Sequence, residues 1–319
     1  MKATLIVNPN SGGGQKATPE EMMKGLVEAG YEPVFLSTSS EEELDTILNG
    51  VSGLVVSAGG DGTFRAIATR LLGKKAFLTH LPLGTANNVG ASLGIEGSTL
   101  EIIAGLKNPV KRHFDIGVVT APWGRDYFIE ASGFGLYADA LARYDPNEGR
   151  SLIRSLSSMI ETINEFESHF AQVTLDGEDI SGTYRMFEVM NTSRFGPWIK
   201  LAPEADPGDG LLDIVRIHPD HDESLFRYVA SLVAEDLKDL PNVEVSRGRC
   251  LELRWQGTFP FHIDAEIRPP VSERPKERIP AVGATDPNSH TEENVLRIEL
   301  MPRALEIWQP SPPENKEEE

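Results

Sequence analysis

Three short segments carry residue types suited to holding a phosphate. Gly59-Gly60-Asp61-Gly62-Thr63 stands between the apolar run Leu54–Ser57 and the start of a helical pattern. Glycines let a backbone turn tightly and approach a phosphate, and the helix that follows offers unbonded N–H groups and a positive dipole end. Asp61 would repel a bare phosphate, which implies an intervening Mg²⁺ or an ordered water. A strand-to-helix turn that merely needs glycine would explain a lone Gly-x-Gly. It explains less well three glycines flanking an acid and a helix-capping threonine. Asn8-Pro9-Asn10-Ser11-Gly12-Gly13-Gly14 follows the apolar run Thr4–Val7, and Pro82-Leu83-Gly84-Thr85-Ala86-Asn87-Asn88 follows Phe77–Leu81. In an open parallel sheet, ligands bind beyond the carboxyl ends of the strands, so three such loops would converge on one site.

Acids gather in two further places. Asp264 and Glu266 stand at i and i+2, which on a strand points both to one face. Read plainly, they are two solvated carboxylates on an exposed strand. Asp206 to Asp213 is an acidic loop whose bland reading is a turn.

The elements that must position these residues change character along the chain. In the first third, β-rich runs alternate with capped helical patterns. Thr18-Pro19-Glu20-Glu21 forms a capping box with proline at the first helical position, and Ser40 with Glu43 repeats the box. Strands are expected at Thr4–Val7, Tyr31–Ser37, Leu54–Ser57 and Phe77–Leu81, and helices at Thr63–Leu72 and Ser98–Gly105. Such alternation implies β-α-β units and a parallel sheet. From about Ile116 the pattern is that of antiparallel strands: Val118–Val119, Tyr127–Ala131, Ala171–Leu175, Tyr184–Met190, Leu212–Ile217, Leu251–Trp255, Phe259–Ile263 and Val295–Leu300. Asp176-Gly177 and Gln256-Gly257 mark turns. Helices are expected at Leu152–Phe166 and Glu223–Leu237, a long loop at Arg268–Asn294, and a disordered acidic tail at Pro310–Glu319. The fold class is therefore an α/β nucleotide-binding lobe with a parallel sheet over 1–115, completed by 301–309, plus a β-rich second lobe over 116–300.

The 319 residues include 39% hydrophobic side chains, ample for a packed core, and one cysteine, Cys250, so no intramolecular disulfide framework exists. No apolar run approaches the roughly 18 residues of a membrane span, and none near the start suits a signal peptide. A cytoplasmic protein is expected. The net charge of −19 is uneven: residues up to Asp115 carry 10 basic and 12 acidic side chains, the rest 20 and 37. A surface so acidic repels phosphate backbones and offers no polybasic membrane patch, so nucleic acid is not an expected partner and any lipid contact is apolar and local.

The three loops, in this order and spacing, resemble the diacylglycerol kinase catalytic domain family, which includes bacterial lipid kinases and sphingosine and ceramide kinases. The Gly-Gly-Asp-Gly-Thr segment is shared with NAD kinases. Arg112-His113-Phe114-Asp115 is similar to the segment that opens the family's second lobe. Ala202–Leu211 resembles its "APxAxxxDGxL" segment, and His262–Glu266 its "xxDGE" segment. The resemblance spans Asn8 to Glu266 and implies ATP bound between an α/β lobe and a β-rich lobe. It implies nucleotide contacts at Asn8, Asn10, Ser11, Gly12, Gly13, Gly14, Thr38, Gly59, Gly60, Asp61, Gly62, Thr63, Arg65, Gly84, Thr85 and Asn87. It implies a structural Mg²⁺ at Asp206, Asp209 and the Leu211 carbonyl. Glu266 corresponds to the general base, with Asp264 beside it and Asp61 and Asp115 in an acid cluster near a catalytic metal. Carboxylates suit phosphoryl transfer, because one must take the acceptor proton and others hold hydrated Mg²⁺.

The function implied by the resemblance is that of an ATP- and Mg²⁺-dependent lipid kinase. Its acceptor would be a diacylglycerol-like or sphingoid hydroxyl at a membrane surface, with a homodimer as the base-rate oligomer. NAD kinase and a catalytically impaired binding protein of the same fold are the competing readings. Two departures from the family pattern bear on the last, Arg65-Ala66 where Asn-Glu is frequent and Asn88 where many bacterial members have Asp; a third, Ala265 in place of Gly, bears on the backbone of its motif. Seven scattered histidines show no metal spacing, and Ser57, Ser132 and Ser193 lack a Gly-x-Ser-x-Gly setting, so zinc and serine-hydrolase chemistry have no anchor.

Overall fold

A computed structural model describes residues 1–12, 17–143, 167–196, 199–219, 240–255, 259–269 and 295–311. The helices expected at Leu152–Phe166 and Glu223–Leu237, the turn at Gln256-Gly257, the loop from 270 to 294 and the tail from 312 lie outside the described residues. The chain divides into two compact units. The first is Met1–Ile116 with Asp206–Gly210 and Met301–Glu319; the second is Gly117–Ala205 with Leu211–Leu300.

The first unit is built from β1 (Lys2–Val7), α1 (Pro19–Glu28), β2 (Glu32–Ser37), α2 (Glu41–Ile47), β3 (Gly53–Gly59), α3 (Asp61–Leu71), β4 (Ala76–Pro82), α4 (Asn88–Ser92) and α5 (Thr99–Gly105). Its sheet runs β2-β1-β3-β4, with the last part of β17 (Val295–Gln309) beside β4, and every pair is parallel. Leu54, Val55, Val56 and Ala58 of β3 are wholly buried, as expected of a central strand covered on both faces. The chain leaves β1 toward β2 on one side and returns to β3 on the other. The crevice beyond Val7 and Gly59 is therefore the switch point of the sheet.

The expected capping box forms at Thr18/Glu21, and a second forms at Ser98/Glu101, each with both reciprocal bonds. At α2 only half forms. Ser40 Oγ accepts the Glu43 amide at 3.3 Å, but the Glu43 carboxylate accepts the Thr38 hydroxyl instead of the Ser40 amide.

The second unit is a β sandwich. One sheet runs β13 (Val243–Gly248), β12 (Leu212–Ile217), β11 (Met186–Met190), β7 (Ala131–Gly135), β15 (Phe261–Ile263), β16 (Glu266–Arg268), all antiparallel. The other includes β8 (His169–Leu175), β14 (Cys250–Arg254) and the first part of β17. Phe134, Phe187 and Phe261 from the first sheet interdigitate with Val173, Leu251 and Leu296 from the second in one apolar core. The outer face of the first sheet is covered by α6 (Leu136–Arg143) and Leu201–Ala205.

Two features depart from the sequence reading. β17 runs on through Gln309 as one strand, passing Arg303 in a left-handed conformation (φ 54°). Residues 206–210 cluster with the first unit and not with 116–300. The reason is a set of bonds to the end of β5 (Val110–Ala121): the Asp115 amide donates to Pro207 O at 2.6 Å, and the Gly210 amide donates to Asp115 Oδ2 at 2.7 Å.

Candidate active site

In the first unit the three small-residue loops meet. Asn8 Nδ2 donates to Thr63 Oγ1 at 3.0 Å, and the Asn8 amide donates to Ala58 O. Thr85 Oγ1 donates to Gly12 O at 2.9 Å, and the Leu83 amide donates to Gly59 O at 2.7 Å. Each loop is thus bonded to another, which confirms their convergence at the carboxyl ends of β1, β3 and β4. Asn8 also orders its own turn, taking the Asn10 amide on Oδ1 and the Ser11 hydroxyl on its carbonyl. Asn87, in a left-handed conformation that Asn tolerates (φ 54°), closes the third loop through two bonds to Gly84.

The glycines divide by the work they do. A Cβ on Gly84 would lie 2.5 Å from Gly60 Cα, and one on Gly59 would lie 2.5 Å from Thr63 Oγ1, so these serve close approach. Among the described residues Gly12 and Gly62 meet nothing within 4 Å, and neither needs a left-handed backbone. Gly62 sits in the first turn of α3, where Ala would favour the helix by roughly 0.5–1 kcal/mol. The N-cap of α3, Gly60, makes no side-chain cap bond. An eleven-residue helix therefore presents its amino end at the switch point, with no described residue within 4 Å of a Cβ at Gly62, the arrangement that receives anions.

Asp61 has a local task in this junction. Its Oδ2 accepts the Asn88 amide and its Oδ1 the Val89 amide, both at 3.0 Å, so the carboxylate caps α4 and ties the second loop to the third. Asn88, read in the sequence as a lost charge, is 1% exposed and contributes its amide to that cap. Thr38 is buried, its hydroxyl bonded to Glu43 and the Ser40 carbonyl. Arg65 is half-buried on α3. Gly13 and Gly14 lie outside the described residues.

Asp115 is a structural node. Fully buried, it accepts the Arg303 amide at 2.6 Å and the Gly210 amide at 2.7 Å. Burial pushes its carboxyl pKa up, and those two amides oppose the rise. Both oxygens accept backbone amides, so Asp115 ties the 206–210 segment and the Arg303 bend of β17 to the end of β5.

The segment expected to hold a structural Mg²⁺ is organised by a guanidinium. Arg112 Nη2 lies 2.8 and 2.7 Å from the two oxygens of Asp206, and the Gly208 amide donates to Asp206 Oδ1 at 3.0 Å. Asp209 is exposed, its amide bonded to Asp206 O. Among the described residues no three His, Cys, Asp or Glu side chains gather as a cation cage. The half-exposed Asp206 carboxylate already faces the positive charge of Arg112, so in this structure a guanidinium and not a cation orders the segment. The sequence signal for Arg112 was weak: it stands 94 residues from its partner.

In the second unit, Asp264 and Glu266 do not share a strand face. Ile263 pairs with Glu266 across a two-residue turn, and Asp264 and Ala265 both take left-handed backbones (φ 45° and 63°). This is the type I′ geometry that favours Gly, Asn or Asp and hides behind an Ala in the sequence. The Asp264 carboxylate turns inward to accept the amides of Ile129, Glu130 and Ala131 at 2.8–3.1 Å. Glu266 faces solvent and pairs with Arg268 Nη2 at 2.7 Å; Arg268 Nε reaches Asp126 at 3.3 Å. Arg268 and Asp126 went unremarked in the sequence, since 142 residues separate them.

Comparison with known proteins fits this architecture. Residues 2–119 match the model of the diacylglycerol kinase catalytic domain, and residues 134–307, more than half the chain, match that of the YegS C-terminal NAD kinase beta sandwich-like domain. The chain belongs to the diacylglycerol kinase family. Within it, the chain is 27% identical over 226 residues to "Diacylglycerol kinase" of Bacillus subtilis, covering 67% of this chain and 73% of that one. It is 26% identical over 280 residues to a Shewanella frigidimarina protein named "Probable lipid kinase YegS-like", covering 80% and 86%. A crystal structure of a diacylglycerol kinase from Bacillus anthracis shares the fold, with a TM-score of 0.66, 16% identity and coverage of 97% and 96%. The chain is accordingly a lipid kinase of the diacylglycerol kinase/YegS type. No helix among the described residues is long and apolar enough to cross a membrane.

Proposed function

We propose that this lipid kinase transfers the γ-phosphate of ATP to a hydroxyl of a diacylglycerol-like or sphingoid lipid. The observation that carries the nucleotide half is Gly62: a glycine in a helix's first turn, costing helix stability, with no described residue within 4 Å of where a Cβ would be. Gly12, Gly60, Gly62 and Thr63 would line the triphosphate with backbone N–H groups, while Asn8, Thr85 and Asn87 hold the loops in shape. Asp61 would act by fixing the junction. Magnesium would enter as the counter-ion of the triphosphate, as Mg²⁺ commonly does when a protein offers one or two carboxylates and no dedicated cage.

Glu266 is the proposed general base. The acceptor O–H passes its proton to that carboxylate as the oxygen attacks the γ-phosphorus, the bond to the bridging oxygen breaks, and ADP leaves. The exposure of Glu266 suits a group that must meet a lipid hydroxyl, and Arg268 holds it against free rotation. With a net charge of −19, contact with a lipid surface would be apolar and local.

The test is transfer of labelled γ-phosphate from ATP over a panel of diacylglycerol, monoacylglycerol, sphingosine and ceramide in mixed micelles, with NAD as a further acceptor. Labelled lipid that disappears in Glu266→Gln is expected. Labelled NAD alone would replace this reading with the NAD kinase one, and ATP binding without any transfer would leave a binding protein.

A further inference from the structure

The least expected feature of the second unit is a polar, ionisable pair in its core. Glu188 on β11 and His262 on β15 are both wholly buried, with Oε2 and Nε2 2.8 Å apart. The two residues are not sheet neighbours, because β7 runs between their strands. One register row reads Glu188–Gly133–His262 across the three strands. Residues in such a row point to one face of the sheet. The glycine at its centre leaves the gap through which the outer two meet, and a Cβ there would lie 2.5 Å from Glu188 Oε2.

Among the described residues, neither Glu188 Oε1 nor His262 Nδ1 has a hydrogen-bond partner. The Tyr137 ring from α6 stands edge-on to His262 at 4.9 Å, and Phe195 stacks at 6.1 Å. A buried polar pair, charged or neutral, is often no more stabilising than apolar side chains of the same volume, so bulk stability does not explain this one.

Its place in the chain does. β15 and β16 are three residues each, too short to hold a hairpin alone. Between them Asp264 and Ala265 hold left-handed backbones, strained for alanine, which persist only where their surroundings over-determine them. One anchor is the Asp264 carboxylate on the amides of Ile129–Ala131 together with the Asp264 amide on Ala131 O at 2.9 Å. It fixes the turn itself. The Glu188–His262 bond fixes the strand that enters the turn, tying β15 sideways across β7 to β11.

We propose that Glu188 and His262 are positioning residues whose buried pair pins β15 in register, so that the strained turn presents the Glu266 carboxylate in one orientation. The proposal rests on the reading of Glu266 as the general base, and its test separates the two.

Two variants are compared with wild type: Glu188→Gln, which keeps a weaker hydrogen bond to His262, and the double variant Glu188→Met with His262→Leu, which removes both polar groups and keeps the volume. Two quantities are read on the full chain: the kcat and KM for ATP of lipid phosphorylation, and amide hydrogen exchange at Ile263–Glu266 by mass spectrometry or NMR. Exchange at the hairpin is expected to quicken in both variants while the rest of the sandwich keeps its protection. Turnover is expected to fall roughly tenfold or more in the double variant and about threefold in Glu188→Gln, with KM for ATP unchanged. A general loss of packing would instead move all amides and the melting temperature together. Wild-type turnover and wild-type hairpin exchange in a folded variant would overturn the proposal, and Glu188→Gln decides alone should the double variant not fold. Faster hairpin exchange in a chain whose wild type transfers no phosphate would uphold the pinning while rejecting the kinase reading.

Discussion

The two units use aspartate in the same way and present their chemistry in opposite ways. Asp61 in the first and Asp264 in the second each spend a carboxylate on backbone amides of a neighbouring loop, two in one case and three in the other. Around Asp61 the result is a bed of glycine backbone and a helix amino end, rich in donors. Beside Asp264 it is an exposed glutamate, an acceptor. The acid that looks most conspicuous in each motif is thus spent on backbone amides, and on the proposed reading the reactive groups are its neighbours. The lesson is that a motif carboxylate should be assigned to chemistry only after its hydrogen-bond partners are counted.

The largest effect should separate Asp264 from its neighbour Glu266. Glu266→Gln is expected to lower lipid phosphorylation by about 10²- to 10⁴-fold with an unchanged melting temperature, since the side chain is exposed. Asp264→Ala strands three amides and should cost stability on the order of 2–3 kcal/mol, visible in urea unfolding. Equal stability loss in both would erase the division between builder and reactant.

Next in size is a contrast between buried histidines. His262 has a carboxylate partner, whereas His80 in the first unit has, among the described residues, only the Ser57 carbonyl as a hydrogen-bond partner, at 3.2 Å, and burial drives its pKa down to about 4. The fold therefore favours neutral His80. Its contribution is whole above about pH 6.5 and is lost as the pH falls through 4, amounting to roughly 3 kcal/mol over that window. Thermal unfolding from pH 7 to pH 4 should show this slope, and His80→Leu should flatten it.

The glycines sharpen the first unit further. Gly84→Ala must push against Gly60 and is expected to destabilise by about 1–3 kcal/mol. Gly62→Ala should keep or slightly raise the melting temperature yet weaken ATP binding by about tenfold, roughly 1.4 kcal/mol. Calorimetric titration of both would show whether the open glycine faces ligand. The smallest effect concerns residues 206–210. With Arg112 on Asp206, EDTA should leave the melting temperature unchanged, while Arg112→Ala should lower stability by about 1 kcal/mol or less, the pair being partly exposed. A clear drop with EDTA alone would restore the cation site.

Legibility in the sequence tracked the range of the contacts. The parallel sheet and its loops could be read because each β-α-β unit is local, and the box at Thr18 formed as spaced. The Ser40 box went half-made because Thr38 competed for Glu43, a rivalry that spacing does not reveal. In the second unit β12 was legible as a run of apolar residues. The left-handed turn was not, for Ala265 gives no turn signal. The Glu188–Gly133–His262 row, the Arg112–Asp206 pair and the Asp115 node join residues 74 to 188 positions apart. No local pattern encodes them.

The central claim, that the three loops of the first unit receive the triphosphate, is tested most directly by amide hydrogen exchange with and without ATP and magnesium. Slowed exchange confined to Asn10–Gly12, Gly60–Thr63 and Gly84–Asn87, and lost in Gly62→Val, is the expected result. ATP protection at other segments, with these three unchanged, would contradict it.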